Sequence, residues 1–341
     1  MTYGVKALRQ IQLHREDTQG IASTDFTPWR GTGVLEDVRE TVFPEEDIGI
    51  FGGVDRVYTP KTGGKLTLDE VEATFEQLPH IFDAAIYAAT PTTDASSGVI
   101  RTWTFPLVST DAKSSTDLQT YSFKFGDNAE VEQAHFGYVS DFTITGSAGE
   151  GLMAGATFMT RDVSTDGNGF ETVTVPTVEE ILFSKGKLYI NAANESFGLT
   201  QKTGTLLSMS LNVTTGWQGI YTADGRSDFS FIKQVQPEIV LELTFEHDGT
   251  AQAEKAAWRA GTARLLQLKF EGSGMTTTDA GATYDVKTFI INLAGKWEKF
   301  DALDEIDGDD VVTGTFRARY NATAAKFAEF IVVNEVDTMP G

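Results

Sequence analysis

Between Thr120 and Asp162 apolar and polar positions alternate in short runs: Tyr121-Ser-Phe-Lys-Phe125, Phe142-Thr-Ile-Thr145 and, beyond Gly146, Gly149 and Gly151, Ala156-Thr-Phe158-Met-Thr-Arg161. A period of two bounded by glycines predicts strands with one buried face, joined by tight turns. A weaker echo runs from Thr288-Phe-Ile-Ile291 through the acidic loop Asp307-Gly308-Asp-Asp310 to Gly314-Thr-Phe316-Arg-Ala-Arg319. In both stretches an arginine follows a phenylalanine at the third position. The repetition suggests a duplicated domain, with a boundary after the turn signal Asp166-Gly-Asn-Gly169, giving units at 1–175 and 176–341.

Elsewhere the pattern predicts further strands: loosely at Val5–Leu13, then at Ile100–Phe105, Leu188–Ile190, Leu206–Val213, Ile239–Phe245 and Leu266–Phe270. Two helices are expected. Thr67-Leu-Asp-Glu70 reads as a capping box, and Leu68, Val71, Phe75, Leu78, Phe82 and Ile86 recur at three- and four-residue steps, with Pro79 kinking or dividing the helix. Thr250–Leu266 reads as the second, weakened by Gly261. From Phe43-Pro44 to Gly63-Gly64, prolines and paired glycines mix with Ile48, Ile50, Phe51, Val54, Val57 and Tyr58. So much apolar surface on a long loop points to a segment covered by a partner, or to a strand pair flanked by turns. The architecture is mainly β (α+β), a β-sandwich or half-barrel with a helix beside each unit.

Composition narrows the class. With 40% hydrophobic and 11% aromatic residues the chain is too apolar for a disordered acidic tail. It contains no cysteine, which removes disulfides and thiolate chemistry and fits assembly in a reducing cytoplasm. The N-terminus lacks the apolar core of a signal peptide and no run approaches membrane-spanning length, so a soluble, unsecreted protein is expected. Acidic residues outnumber basic ones 49 to 27, a net charge of −22. That argues for solubility, or for a surface along which DNA moves without sticking, and against sequence-specific DNA binding.

Candidate chemistry is sparse, and no enzyme activity, metal or cofactor is expected. His14, His80, His135 and His247 are scattered without metal-binding spacing. Asp162-Val-Ser-Thr-Asp-Gly167 resembles the start of a calcium loop, but the closing carboxylate position is Val173. The acidic cluster Asp301 to Asp310 reads as a solvated loop. No nucleophile elbow or P-loop is present. A carbohydrate-binding β-sandwich would need Trp103, Trp217, Trp258 and Trp297 in one groove, which their positions do not suggest.

Three stretches carry a family resemblance. They are Glu16-Asp-Thr-Gln-Gly20 with Val42-Phe-Pro-Glu-Glu46, Ile48-Gly49 and Phe75-Glu-Gln-Leu-Pro79; Ile181-Leu-Phe183, Tyr189-Ile190, Phe197-Gly-Leu-Thr200, Leu206 to Gly216 and Asp224-Gly225; and Asp307-Gly308, Gly314 to Tyr320 and Ile331-Val-Val-Asn334. In layout the chain resembles the tail tube (major tail) proteins of long-tailed, siphovirus-type bacteriophages. The resemblance implies a virion protein that polymerises into stacked rings around a channel for DNA, without catalytic residues. Its partners would be its own copies, as hexameric or trimeric pseudo-hexameric rings, with tape measure, tail tip and terminator proteins. DNA would pass through the lumen without specific binding. The expected assembly interface is the loop with Phe43, Pro44, Ile48, Phe51, Val54 and Tyr58, together with edge strands at Phe142 and Phe316. A capsid decoration or tail fibre component is the alternative within the same class.

Overall fold

The computed structural model describes residues 3–53, 55–94, 98–107, 114–172, 174–276, 282–337 and 339. Strands dominate, as alternation with β-favouring residues requires. The longer ones before residue 175 are β1 (Gln10–Arg15), β2 (Gly33–Asp37), β3 (Glu40–Val42), β4 (Tyr58–Lys61), β5 (Gly64–Glu72), β6 (Arg101–Leu107), β7 (Tyr121–Gly126), β8 (Val131–Ser147) and β9 (Met153–Thr160). After it come β10 (Gly186–Ala192), β11 (Leu206–Thr214), β12 (Trp217–Ile220), β13 (Phe231–Gln234), β14 (Glu238–Glu246), β15 (Ala263–Gly274), β16 (Val286–Phe300), β17 (Asp309–Ala318) and β18 (Ala328–Asn334). Two α-helices, α1 (Leu78–Ala85) and α2 (Gly249–Arg259), accompany them, with short strands and single 3-10 turns between.

A wide antiparallel sheet runs in the order β2-β5-β9-β8-β11-β14-β17-β16. A second sheet runs β10-β15-β16-β18-β6, and β1 and β7 extend the N-terminal part of β8. The long strands β8 and β16 belong to both layers. Traced ladder by ladder, the described pairings branch without returning on themselves, so the wide sheet has free ends. One end is the outer edge of β2; the other is the last part of β16, where pairing with β15 stops at Lys296.

The order of elements recurs on the two sides of residue 175. Each side has a strand (β1; β10), a wide-sheet strand (β2; β11), a two-stranded ribbon (β3–β4; β12–β13) and a second wide-sheet strand (β5; β14). A helix follows (α1; α2), then a hairpin strand (β7; β15), the long strand (β8; β16) and its return (β9; β17). The first side has β6 in addition and the second β18. The two sides are not separate bodies, because the β8–β11 and β6–β18 ladders join them and one cluster of buried side chains runs through both.

Helix α1 is buried along its whole length between the layers. Phe82 meets Phe142 of β8 on one side and Phe105, Phe289 and Phe330 of the second sheet on the other, with centroids 4.9–5.9 Å apart. These offset and edge-on contacts add about 0.5–1.5 kcal/mol per pair to simple burial. Trp217 donates its indole N–H to the Ala85 carbonyl at 3.0 Å, fixing the helix end. By contrast α2 lies beside the end of β16, where Glu254 accepts from Trp297 and Arg264, both at 2.9 Å.

Both helices depart from expectation. Thr67 to Glu70 lie in β5, where Leu66 and Leu68 point inward and the backbone pairs with β2 and β9. Ladder bonds on both edges override the local capping signal. The helix begins only at Leu78, and Pro79 stands in its first turn, where its missing N–H costs nothing. Helix α2 starts at the Asp248 cap and ends before Gly261, whose φ of +63° breaks it, so residues 263–266 belong to β15.

Candidate assembly surfaces

The two faces of the wide sheet follow from its alternation. Phe142 and Ile144 of β8, Leu211 of β11, Leu241 and Leu243 of β14 and Phe316 of β17 point into the core. The intervening positions are mostly polar, with Met153 and Val240 among the exceptions. One transverse row reads Met153, Thr145, Ser210, Glu242, Thr315 and Lys299, neighbour by neighbour across six strands. The next row contains Ser147, Ser208, Thr244 and Thr313, the last two with their hydroxyls 3.0 Å apart. Thr143 donates to Glu70 at 2.8 Å, and Arg317 is held by Glu238 and Glu298. Arg317 is thus the ion-paired cation of this face, while Glu70, Asp141 and Glu242 have hydroxyl partners and no salt bridge, leaving a hydroxyl-rich surface with an acidic excess.

The expectation of free edges at Phe142 and Phe316 is corrected. Strand β8 is flanked there by β9 and β11, and β17 by β14 and β16, and both side chains are buried. Apolar alternation marks the buried face of a strand and says nothing about its edges. Among the described residues the wide-sheet edges without a partner strand are β2 and the end of β16, the latter alongside α2 with Trp258 donating to the Glu298 carbonyl, and the sequence pattern does not distinguish them. The hydroxyl-rich face was readable in the polar half of the alternation in Leu206–Val213.

The loop segment is an arm. Its ends form the β3–β4 ribbon, and residues 43–53 and 55–57 between them form no strand. Phe43, Ile48, Ile50, Val57 and Tyr58 are all more than half exposed, Phe51 is bare, and Pro44 is half-buried. Val54 lies outside the described residues. The base is fixed: Lys61 lies 4.4 Å from the Tyr221 ring centroid, and Thr62 donates its backbone N–H to Ser227 at 2.9 Å.

The remaining candidates serve the fold. His80 is buried, and its pKa is lowered to about 3 by that burial, with the Arg15 charge adding to it, so it is neutral. Tyr121 donates its hydroxyl to Asp83 at 3.4 Å and accepts from His80 Nδ1 at 3.1 Å. Asp83 also accepts from the Ala89 N–H at 2.8 Å and faces Arg15 at 3.1 Å. Burial raises its pKa to about 6 despite that arginine. Glu16, equally buried, accepts from the Gly20 and Phe136 amides and the Thr120 and Ser122 hydroxyls. In the calcium-like loop Asp162 faces His135 at 3.0 Å and Asp166 faces Lys124 at 2.9 Å. The hydrogen bond from His135 depresses the Asp162 pKa. Asp304 to Asp310 form an exposed hairpin. Trp103, Trp217 and Trp297 are buried, and their indole N–H groups, like that of Trp258, donate to Asn334, Ala85, Glu254 and Glu298 respectively, with no groove in common. Among the described residues no helix is long and apolar enough to cross a membrane. The sequence matches no protein-family model and no curated protein.

Proposed function

We propose that this chain is a structural subunit of a bacteriophage tail tube, three copies closing a ring and rings stacking into a conduit for DNA. The observation that carries the reading is the wide sheet: eight strands, a hydroxyl-rich outer face, two unpaired ends and an internal joint that already models the missing one. Each four-strand set runs in the same order, so β8–β11 joins the last strand of the first set to the first strand of the second. The same operation applied between chains pairs the end of β16 with β2 of a neighbour. Such head-to-tail contacts close into rings, and edge pairing satisfies the backbone groups left open.

The dimensions agree. Three copies supply twenty-four strands; at ~4.8 Å spacing and ~40° tilt they wrap about 150 Å, a barrel roughly 48 Å across between backbones. That leaves a channel wider than a DNA duplex. A hydroxyl-rich lining whose Arg317 and Lys299 are held by carboxylates and which carries further acidic side chains, in a protein of net charge −22, releases no counterions from phosphate and so does not retain DNA. Tape measure, tip and terminator proteins are the partners this reading implies. Electron microscopy of concentrated protein, paired with its mass in solution, tests it. Hollow tubes or rings with three subunits are expected; twofold dimers, solid filaments or a monomer at every concentration would refute it.

A further inference from the structure

On the small sheet β1-β7-β8 one amine is enclosed. Among the described residues Lys124 is the only buried lysine, at 3% exposure, and it stands in the middle strand, level with Gln12 of β1 and Gln133 of β8. The segment that follows the short strand Val163–Thr165 folds over it as a strap. Gln12 holds the strap by both ends of its amide, accepting from the Glu171 N–H and donating to the Glu171 carbonyl, each at 3.1 Å. Asp166 and Glu171 are thereby brought to the same amine. Its Nζ lies 2.9 Å from Oδ2 of Asp166 and 3.2 Å from Oε1 of Glu171, and donates to the Gly169 carbonyl at 2.8 Å. The buried Phe26 ring covers it, with its centroid 4.7 Å away.

The contact with Asp166 differs from a surface ion pair. Both side chains are only 4% exposed, and Oδ2 of Asp166 is cut off from water. Close as Nζ is, it approaches that oxygen away from the hydrogen-bonding direction, so Oδ2 has no hydrogen bond. A pair met in this way recovers little of the cost of burying two charges.

We infer that Lys124 and Asp166 are joined by an isopeptide bond that the folded chain makes itself, with Glu171 as general base and acid. Proton transfer from the ammonium to the Asp166 carboxylate gives a neutral amine and acid, the form that enclosure favours. Nζ then attacks Cγ along an approach the fold has already fixed. Glu171 takes a proton from the attacking nitrogen and returns it to the departing Asp166 hydroxyl. One N–C bond forms, one C–O bond breaks and one water leaves, past the part-exposed Glu171; no oxidant or cofactor is consumed. In a chain without cysteine, the bond ties β7 to the strap covalently.

Intact mass of the purified chain reads the bond directly. The mass expected is that of the sequence, with or without Met1, less one water; the full sequence mass would overturn the inference. Trypsin should then fail at Lys124 and leave residues 114–161 joined to 162–185. A succinimide between Asp166 and Gly167 also loses water, but it leaves these peptides separate and persists in Lys124→Arg, and either observation overturns the bond. Lys124→Arg and Asp166→Ala should each show the full mass of their sequence. In Glu171→Gln the rate of water loss, followed by mass after a pulse of synthesis, should fall about a hundredfold. A parental rate in that variant would overturn the role given to Glu171.

Discussion

Asp83 makes the fold sensitive to acid in an unusual sense. Its carboxylate is enclosed on α1, facing Arg15 from β1 and Tyr121 from β7, whose hydroxyl also meets His80 one helical turn back. Burial lifts its pKa from 3.8 to about 6, since the solvation lost exceeds what Arg15 and the donors return. A carboxyl whose folded pKa is raised binds its proton more tightly in the folded chain. Its stabilising contribution is complete below about pH 4 and is lost as pH rises through 6. At ~1.4 kcal/mol per pH unit, the interval amounts to about 3 kcal/mol. The perturbation is Asp83→Asn, which keeps the shape and cannot titrate. Urea unfolding of both proteins between pH 4 and 7 is the assay, and the difference between them is the quantity to read, because other carboxylates titrate equally in both. That difference should move by ~2.4 kcal/mol in favour of the variant between pH 4 and 7, since the unfolded carboxyl is already part ionised at pH 4. Parallel profiles would refute the reasoning, and movement in the opposite direction would mean that Arg15 outweighs burial.

Phe82→Ala should cost about 3–5 kcal/mol, read from the urea midpoint, since the ring fills the contact between the layers and little around it can collapse. Glu254→Ala should cost a similar ~3–5 kcal/mol by stranding Arg264 and the Trp297 indole, and hydrogen exchange should show α2 opening ahead of the sheets. Phe51→Asp with Tyr58→Asp should leave the unfolding midpoint within about 0.5 kcal/mol of the parent, because both side chains are exposed, while abolishing sedimenting assemblies. Normal assembly by that variant would remove the arm from every interface.

How much of this was legible in the sequence depended on whether local signals and tertiary partners agreed. Leu206–Val213 and Ile239–Phe245 were read almost to the residue, because their alternation matches a sheet with one dry face. The recurring Phe158/Arg161 and Phe316/Arg319 mark the ends of β9 and β17, which hold the same place in the strand order. Thr67 to Glu70 misled because a capping box needs only two side chains, whereas strand pairing with β2 and β9 comes from residues far along the chain. The arm was legible as exposed apolar sequence. The free edges were not, since an edge is defined by which neighbour is missing.

The ladder between β8 and β11 bears on how such a particle would nucleate. A ring of six four-stranded units built from single-unit chains requires six bodies to meet, every joint forming at the prevailing concentration. In the proposed three-copy ring, half the joints would be made inside the chain during folding, at an effective concentration set by the tether and not by the supply of protein. Ring closure would then be a three-body event with a lower concentration threshold, and its timing would be set at the three joints between chains.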